Sequence, residues 1–371
     1  ATAGGLALRG NLAVAYRACL WSRLASRILM PLWRVAATSS GTFYDDVRDL
    51  PWEDHLVRGA TFAVDAHARG DRDLNTHFVA LKAKDAIVDR LRSEWGERPS
   101  VDPAAADLRL HVLVERGSAQ LSLDLAGEAL HRRGYRTGGV PAPLKENVAA
   151  AVLLRAGWPA IAAAGGAFVD PMCGSGTLLA EAAMLAGDVA PGLLRERFGF
   201  AGWRGHQPGL WKAVRAEAAA RRDAGRGRLP PLAGADLDAR ALELTRTTLA
   251  ALGVVPVELR CADVGELRPP PGVAGGLIAT NAPYGQRVGD PAALPAVYRR
   301  LGEAVKARCE GWTLALLTAD PTLAGEVRMR PFRRNALWNG GIRCELLQYR
   351  IGRAEIPGLS TPRRAPDPAA P

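Results

Sequence analysis

Two short segments hold the residues whose types and spacing could do chemistry. Ala167-Phe-Val-Asp-Pro-Met-Cys-Gly-Ser-Gly-Thr177 reads as a buried strand that breaks into a glycine-rich turn and opens a helix over 178–185. Thr280-Asn-Ala-Pro-Tyr-Gly285 follows another apolar run, 276–280, and ends it in a polar, proline and aromatic tetrad. The first is built to hold a nucleotide-like cofactor, the second a planar amide or amino group.

In the first segment Asp170 stands at a strand's carboxyl end, where open α/β sheets bind ligands. Gly174 and Gly176 let the backbone turn sharply and a cofactor lie against it. The following helix offers unpaired N–H groups. With no Lys in the turn, a triphosphate is not expected. Asp170, Met172, Cys173, Gly174, Gly176 and Thr177 form the expected cofactor turn, with Cys173 read as a small packing residue inside it. A glycine turn alone equally marks a tight strand-to-helix connection.

The elements that must flank such a turn recur downstream. Residues 231–236 form a second strand ending in Asp236, with Asp238 placed to cap a helix, and 257–263 form a third ending in Asp263. Asp236 is placed for ribose hydroxyls and Asp263 for an adenine amino group. Singly, each Asp is ordinary as a cap or loop residue; three successive acidic strand ends beside a glycine turn point to a bound polar ligand.

The tetrad supplies the reaction. An exocyclic amine on a base is a poor nucleophile, because its lone pair is delocalised into the ring. The Asn281 side-chain oxygen and the Pro283 carbonyl can accept its N–H bonds and steer the lone pair, while Tyr284 stacks on the base. The bland alternative is an Asn-x-Pro turn. Together the segments predict methyl transfer from S-adenosylmethionine to an amino nitrogen, with Asn281 also touching the cofactor.

Asp170 to Thr177 with Glu181 resembles motif I of class I S-adenosylmethionine methyltransferases, and Asn281-Ala-Pro-Tyr284 resembles the [DNS]-P-P-[YFW] tetrad of amino-methyltransferases. Ala282 stands where that family has proline, which puts the loop's rigidity in question. The tetrad is shared with DNA adenine-N6, DNA cytosine-N4 and protein glutamine enzymes. Leu81-Lys-Ala-Lys-Asp-Ala86, Leu123-Asp-Leu-Ala-Gly127 and His131-Arg-Arg-Gly-Tyr-Arg136 decide between them, since they resemble the THUMP region of the ribosomal RNA large-subunit methyltransferase K/L family. Tyr16 to Arg27 resembles the ferredoxin-like piece that precedes THUMP there. The resemblance runs to about Ile351 and implies methylation of guanine N2 in 23S ribosomal RNA. It begins inside the ferredoxin-like piece and ends after one methyltransferase domain, so the chain is read as a fragment or a trimmed start, without a claim to a second activity.

Composition agrees. The net charge of +10 favours a polyanionic partner, although Arg-, Ala- and Gly-rich usage also follows from codon bias. Five scattered cysteines and six dispersed histidines argue for a reducing cytoplasm and against a disulfide framework or a metal site. No apolar run is long enough to cross a bilayer. Lys82, Lys84, Arg132, Arg133 and Arg136 are the expected RNA contacts, with an interdomain hinge the alternative for 131–136.

The expected architecture is α/β: a Rossmann-like class I methyltransferase sheet with a C-terminal antiparallel hairpin, preceded by an α+β THUMP-containing RNA-binding region. Its parts are a partial ferredoxin-like region (1–55), THUMP (56–140), methyltransferase domain (141–355) and disordered tail (356–371). A charged helix near 207–227 is read as an insertion between the first two strands of the sheet. The expected protein is a cytoplasmic monomer that flips a guanosine of 23S rRNA, naked or in a partly assembled subunit. The alternatives are a THUMP-type tRNA guanine-N2 enzyme and a non-catalytic RNA-binding assembly factor.

Overall fold

The computed structural model describes residues 5–37, 39–69, 75–136, 144–254, 257–285 and 291–352. The expected disordered tail lies outside them.

The first half runs α1 (Leu12–Trp21), β1 (Leu29–Ala36), α2 (Ser40–Arg48), β2 (Thr61–Arg69), α3 (Thr76–Trp95), β3 (Ser100–Val101), β4 (Leu108–Glu115) and β5 (Ser118–Asp124). Asn75 opens α3 by accepting the Phe78 N–H, and Gly96, at φ 75°, closes it. Alternation places Leu108, Leu110, Val112 and Val114 of β4 in the core, where Ala83, Ile87 and Leu91 of α3 meet them. Each such Leu, Ile or Val contributes about 1.5–3 kcal/mol on burial. The strands form one sheet in the order β1-β5-β4-β2-β3, so β1 belongs with β2 to β5 rather than to a separate layer.

The second half runs α4 (Glu146–Arg155), α5 (Trp158–Ala163), β6 (Ala167–Asp170), α6 (Thr177–Ala186), α7 (Pro208–Gly225), β7 (Leu232–Asp236), α8 (Ala239–Ala251), β8 (Glu258–Cys261), β9 (Gly276–Asn281), α9 (Leu294–Arg308), β10 (Thr313–Thr318), α10 (Pro321–Ala324), β11 (Arg333–Asn339) and β12 (Ile342–Arg350). The sheet order is β11-β12-β10-β9-β6-β7-β8. Strands β10, β9, β6, β7 and β8 are parallel, and β12 runs antiparallel to β10. The chain moves outward from β6 to β8 and then returns to the other side of β6 as β9. That reversal opens a crevice at the carboxyl ends of β6, β7 and β9, which is where such sheets take ligands.

The expected insertion between β6 and β7 is present as α7, and it has a task the sequence did not reveal. Val214 and Ala218 pack into the core of the first half, together with Phe198 and Phe200 from the approach to α7. Arg221 lies 4.0 Å over the Trp21 ring. The second half thus donates a helix to the core of the first.

The strap between the halves is fixed by two arginines. Arg195 donates to the carbonyls of Ala126, Glu128, Ala129 and Arg132 at 2.7–3.1 Å. Arg133, 1% exposed, donates to the carbonyls of Leu130, Ser22 and Arg23, and pairs with Glu181 of α6 at 3.3 Å. The sequence expectation that Arg133 grips RNA is therefore corrected: its guanidinium makes four hydrogen bonds to the interior. Arg136 is corrected likewise, since it donates to the Leu144 carbonyl at 2.8 Å and the Thr177 hydroxyl at 2.9 Å and pairs with Glu146. The strap reading, not the RNA reading, fits these two residues.

Candidate active site

The turn after β6 is wound so that its backbone faces the crevice. Gly174 and Gly176 stand at φ 53° and 76°, a conformation that favours glycine. They differ in purpose. A Cβ on Gly174 would meet nothing within 4 Å, so the turn leaves an open approach there. One on Gly176 would stand 2.8 Å from Thr245 Cγ2, so that glycine lets the turn pack on α8. Thr245 donates its hydroxyl to the Gly174 carbonyl at 2.7 Å and holds the turn from below.

Three of the residues expected in this turn are buried. Cys173 is buried against Thr245, and burial pushes its thiol above the ordinary range, which makes it a packing residue. Thr177 is buried, with its hydroxyl held by Arg136. Asp170 is 2% exposed and accepts the Met172 N–H at 3.2 Å. Met172 itself is half-buried beside the core on the other face of the sheet.

Burial pushes the Asp170 carboxyl up to about 7. A carboxyl whose folded value is raised costs stability as pH climbs from its unfolded value to its folded one, and the full loss is present above about 7. The Asp170→Asn variant escapes that loss. In urea melts of the cofactor-free protein, its stability relative to wild type is expected to grow by roughly 2–3 kcal/mol between pH 5 and pH 8. A difference that stays flat with pH would mean that Asp170 is ionised throughout.

The next two acidic strand ends fare differently. Asp236 Oδ2 accepts the Gly174 N–H at 2.8 Å, and Oδ1 accepts the Asp238 N–H at 3.0 Å, so this carboxylate is tied to the open turn. Asp238 caps α8 as expected, accepting the Arg240 N–H. Asp263 turns elsewhere: Oδ1 accepts the Gly265 N–H at 2.8 Å and Oδ2 pairs with Arg300 of α9 at 3.2 Å. Beside Asp236 stands Leu237, 67% exposed. An apolar side chain held at the crevice suits the face of an aromatic base, and only its adjacency to Asp236 could have marked it in the sequence. An open glycine approach, a carboxylate tied to it and an apolar face beside that carboxylate fit an adenosyl cofactor.

The tetrad leaves the carboxyl end of β9, next to β6. Asn281 Oδ1 is buried and meets no donor among the described residues. A buried acceptor without a partner costs about 1–3 kcal/mol, so this oxygen is set for a donor that arrives with a ligand. Ala282 does not loosen the loop. Its N–H donates to the Leu317 carbonyl of β10 at 3.1 Å, a bond that proline in its place could not make. The Pro283 carbonyl accepts from the Tyr298 hydroxyl of α9 at 3.0 Å. That hydroxyl is also 2.8 Å from Thr318, and burial pushes it up to about 12, so it stays a donor. Sequence reasoning missed Tyr298, because nothing local links it to residue 283. One lone pair of the Pro283 carbonyl stays available to a substrate. Tyr284 is half-buried, with its hydroxyl 3.9 Å from Cys344 Sγ of β12.

Of the other expected RNA contacts, Lys82 lies over the rings of Tyr44 and Phe78, and Lys84 pairs with Asp85 at 2.7 Å. Arg132 is 67% exposed and, among the described residues, pairs with exposed Glu128. Among the described residues no group of three or more His, Cys, Asp or Glu is arranged to hold a metal ion, and no helix is long and apolar enough to cross a membrane.

Three family models match the chain: an RMKL-like methyltransferase domain over residues 133–348, a THUMP domain over 37–124 and an RlmL ferredoxin-like domain over 1–29. The ribosomal RNA large subunit methyltransferase K/L of Stutzerimonas stutzeri (strain A1501) is 47% identical over 360 residues, which are 96% of this chain and 49% of the relative. That of Syntrophotalea carbinolica is 44% identical, over 98% of this chain and 51% of the relative. The chain thus spans about half the length of the curated relatives it matches. Among solved structures, one described as a methyltransferase complexed with SAH superposes with a TM-score of 0.79 at 28% identity, covering 93% of this chain and 89% of that one. A predicted N6-adenine-specific DNA methylase from Listeria monocytogenes also reaches 0.79 at 28% identity, over 92% of this chain and 87% of its own. With a glycine turn and an Asn-Ala-Pro-Tyr tetrad on a sheet that matches the methyltransferase family model, behind a THUMP domain, the chain belongs to the ribosomal RNA large subunit methyltransferase K/L family.

Proposed function

We propose that this chain transfers a methyl group from S-adenosylmethionine to the exocyclic N2 amine of a guanosine in 23S ribosomal RNA. The observation that carries the reading is Asn281 Oδ1, a buried acceptor with no donor among the described residues, beside the Pro283 carbonyl and the open turn at Gly174. A cofactor bound there would supply an electrophilic methyl carbon on a sulfonium, with a neutral thioether as the leaving group. Asn281 and Pro283 each accept one hydrogen of the amine and fix its plane, which directs the nitrogen lone pair across the crevice. Tyr298 holds the Pro283 carbonyl in that direction from behind. Tyr284 offers its ring to the face of the base. Gly174 and Asp236 would hold the cofactor's methionine and ribose parts, and Leu237 would offer an apolar side chain to its adenine. Loss of a proton from the methylated amine needs no enzymic base, because an N-methylated aryl ammonium is a strong acid.

The proposal places the chain in the cytoplasm as a monomer, with Arg132 and the THUMP domain toward the RNA. Methyl incorporation from labelled S-adenosylmethionine into 23S RNA, tRNA and intact large subunits, followed by nucleoside analysis, tests it. N2-methylguanosine in 23S RNA alone is expected. Methylated tRNA would overturn the substrate, and another methylated nucleoside would overturn the chemistry.

A further inference from the structure

The hairpin of β11 and β12 carries surface chemistry that the methyl-transfer site does not use, and of its arginines Arg334 pairs with Glu345 at 3.6 Å. Strand β11 is the edge of the seven-stranded sheet. Between residues 328 and 350, Arg328, Arg330, Arg334, Arg343 and Arg350 are all exposed. Charged side chains on an edge strand ordinarily protect it from pairing with another chain. That accounts for the arginines but not for Phe332 and Trp338, which stand 45% and 59% exposed among them. Alternation puts Phe332, Arg334 and Trp338 on one face, and the register sets Arg343 directly opposite Trp338. Arg350 lies 4.9 Å over the Phe332 ring. The result is a stripe about 20 Å long in which rings and guanidinium groups are interleaved.

The stripe begins at the site. The last pair between β12 and β10 is Glu345 with Thr318, so Cys344, Arg343 and Ile342 reach past the carboxyl end of β10. Cys344 faces inward to the Tyr284 hydroxyl, and its neighbour Arg343 faces outward beside Trp338. A strand of nucleic acid leaving Tyr284 would cross the hairpin tip onto that pair.

We infer that the outer face of this hairpin is a platform for the single-stranded RNA that flanks the target guanosine, with Trp338 stacking on a base and Arg343 taking an adjacent phosphate. The inference rests on the RNA-methylation reading. Exposed rings interleaved with arginines are the pattern that binds single strands, since a ring accepts any base and a guanidinium any phosphate.

The test compares wild type, Trp338→Ala and Trp338→Phe on a 23S rRNA transcript, by filter binding and by methyl incorporation. Base stacking on one aromatic predicts that the alanine variant binds the transcript about 5- to 100-fold more weakly. The affinity for S-adenosylmethionine and the melting temperature should not move, and phenylalanine should restore most of the loss. Alanine binding within about twofold of wild type overturns the platform, as does a loss that phenylalanine does not rescue; the face would then be left for a protein partner. A wild type that binds the transcript without methylating it overturns the guanine-N2 reading alone, because filter binding still decides the platform.

Discussion

Asn281→Ala is expected to lower methyl transfer by about 10²–10³-fold, the usual cost of removing one oriented hydrogen-bonding group from a reacting centre. Cofactor affinity should stay close to that of wild type. The separation is expected because Asn281 Oδ1 is buried without a donor among the described residues, so alanine takes away no hydrogen bond made by that oxygen. Stability should even rise slightly, because a buried unpaired acceptor is lost. Asn281→Asp keeps an acceptor at the same place and should retain more activity than alanine. Single-turnover methylation alongside calorimetric titration of the cofactor reads both quantities. Full activity in the alanine variant would sink the amine-steering mechanism.

The largest effect on stability is expected at Arg133. It and Glu181 are 1% and 0% exposed, and burial pushes the Glu181 carboxyl up even with Arg133 and Arg23 nearby. Arg133→Ala leaves Glu181 with a diminished counter-charge and strands the carbonyls of Ser22, Arg23 and Leu130. Breaking one side of a buried pair costs about 3–5 kcal/mol, which urea melts would measure directly. Lysine does not substitute, because a single ammonium cannot reproduce the planar fork that meets these partners. An Arg133→Ala protein of normal stability with weakened RNA binding would restore the surface role that the sequence suggested and that the structure withdraws.

The reason for that misreading is physical. A run such as His131-Arg-Arg-Gly-Tyr-Arg136 has the composition of an RNA-binding segment, and composition says nothing of which side chains turn inward. That depends on Glu181 and Glu146, which approach from helices 10 and more residues downstream. What repeats locally was legible. The strand, turn and helix at 167–186, the cap at Asp238 and the C-terminal antiparallel hairpin follow from alternation, side-chain caps and turn residues, and all three are present. What depends on distant partners was not. Gly176 and Asp263 both read as cofactor residues from their places after strands, and nothing local signals that Thr245 lies against the first or that Arg300 pairs with the second. Tyr298, α7 packing on the other half and the outward Trp338 belong to the same class.

The Ala282 amide has a consequence for how the loop fails. A proline limits its loop covalently, at any temperature and at every stage of unfolding. Here the restraint is a rung added to the β9–β10 ladder by the bond to Leu317. The order of the tetrad is therefore tied to the cooperative opening of the central sheet, and in hydrogen exchange the Ala282 amide should be as slow as the strand interior. The order of the tetrad and the integrity of the sheet are one thermodynamic unit in this chain.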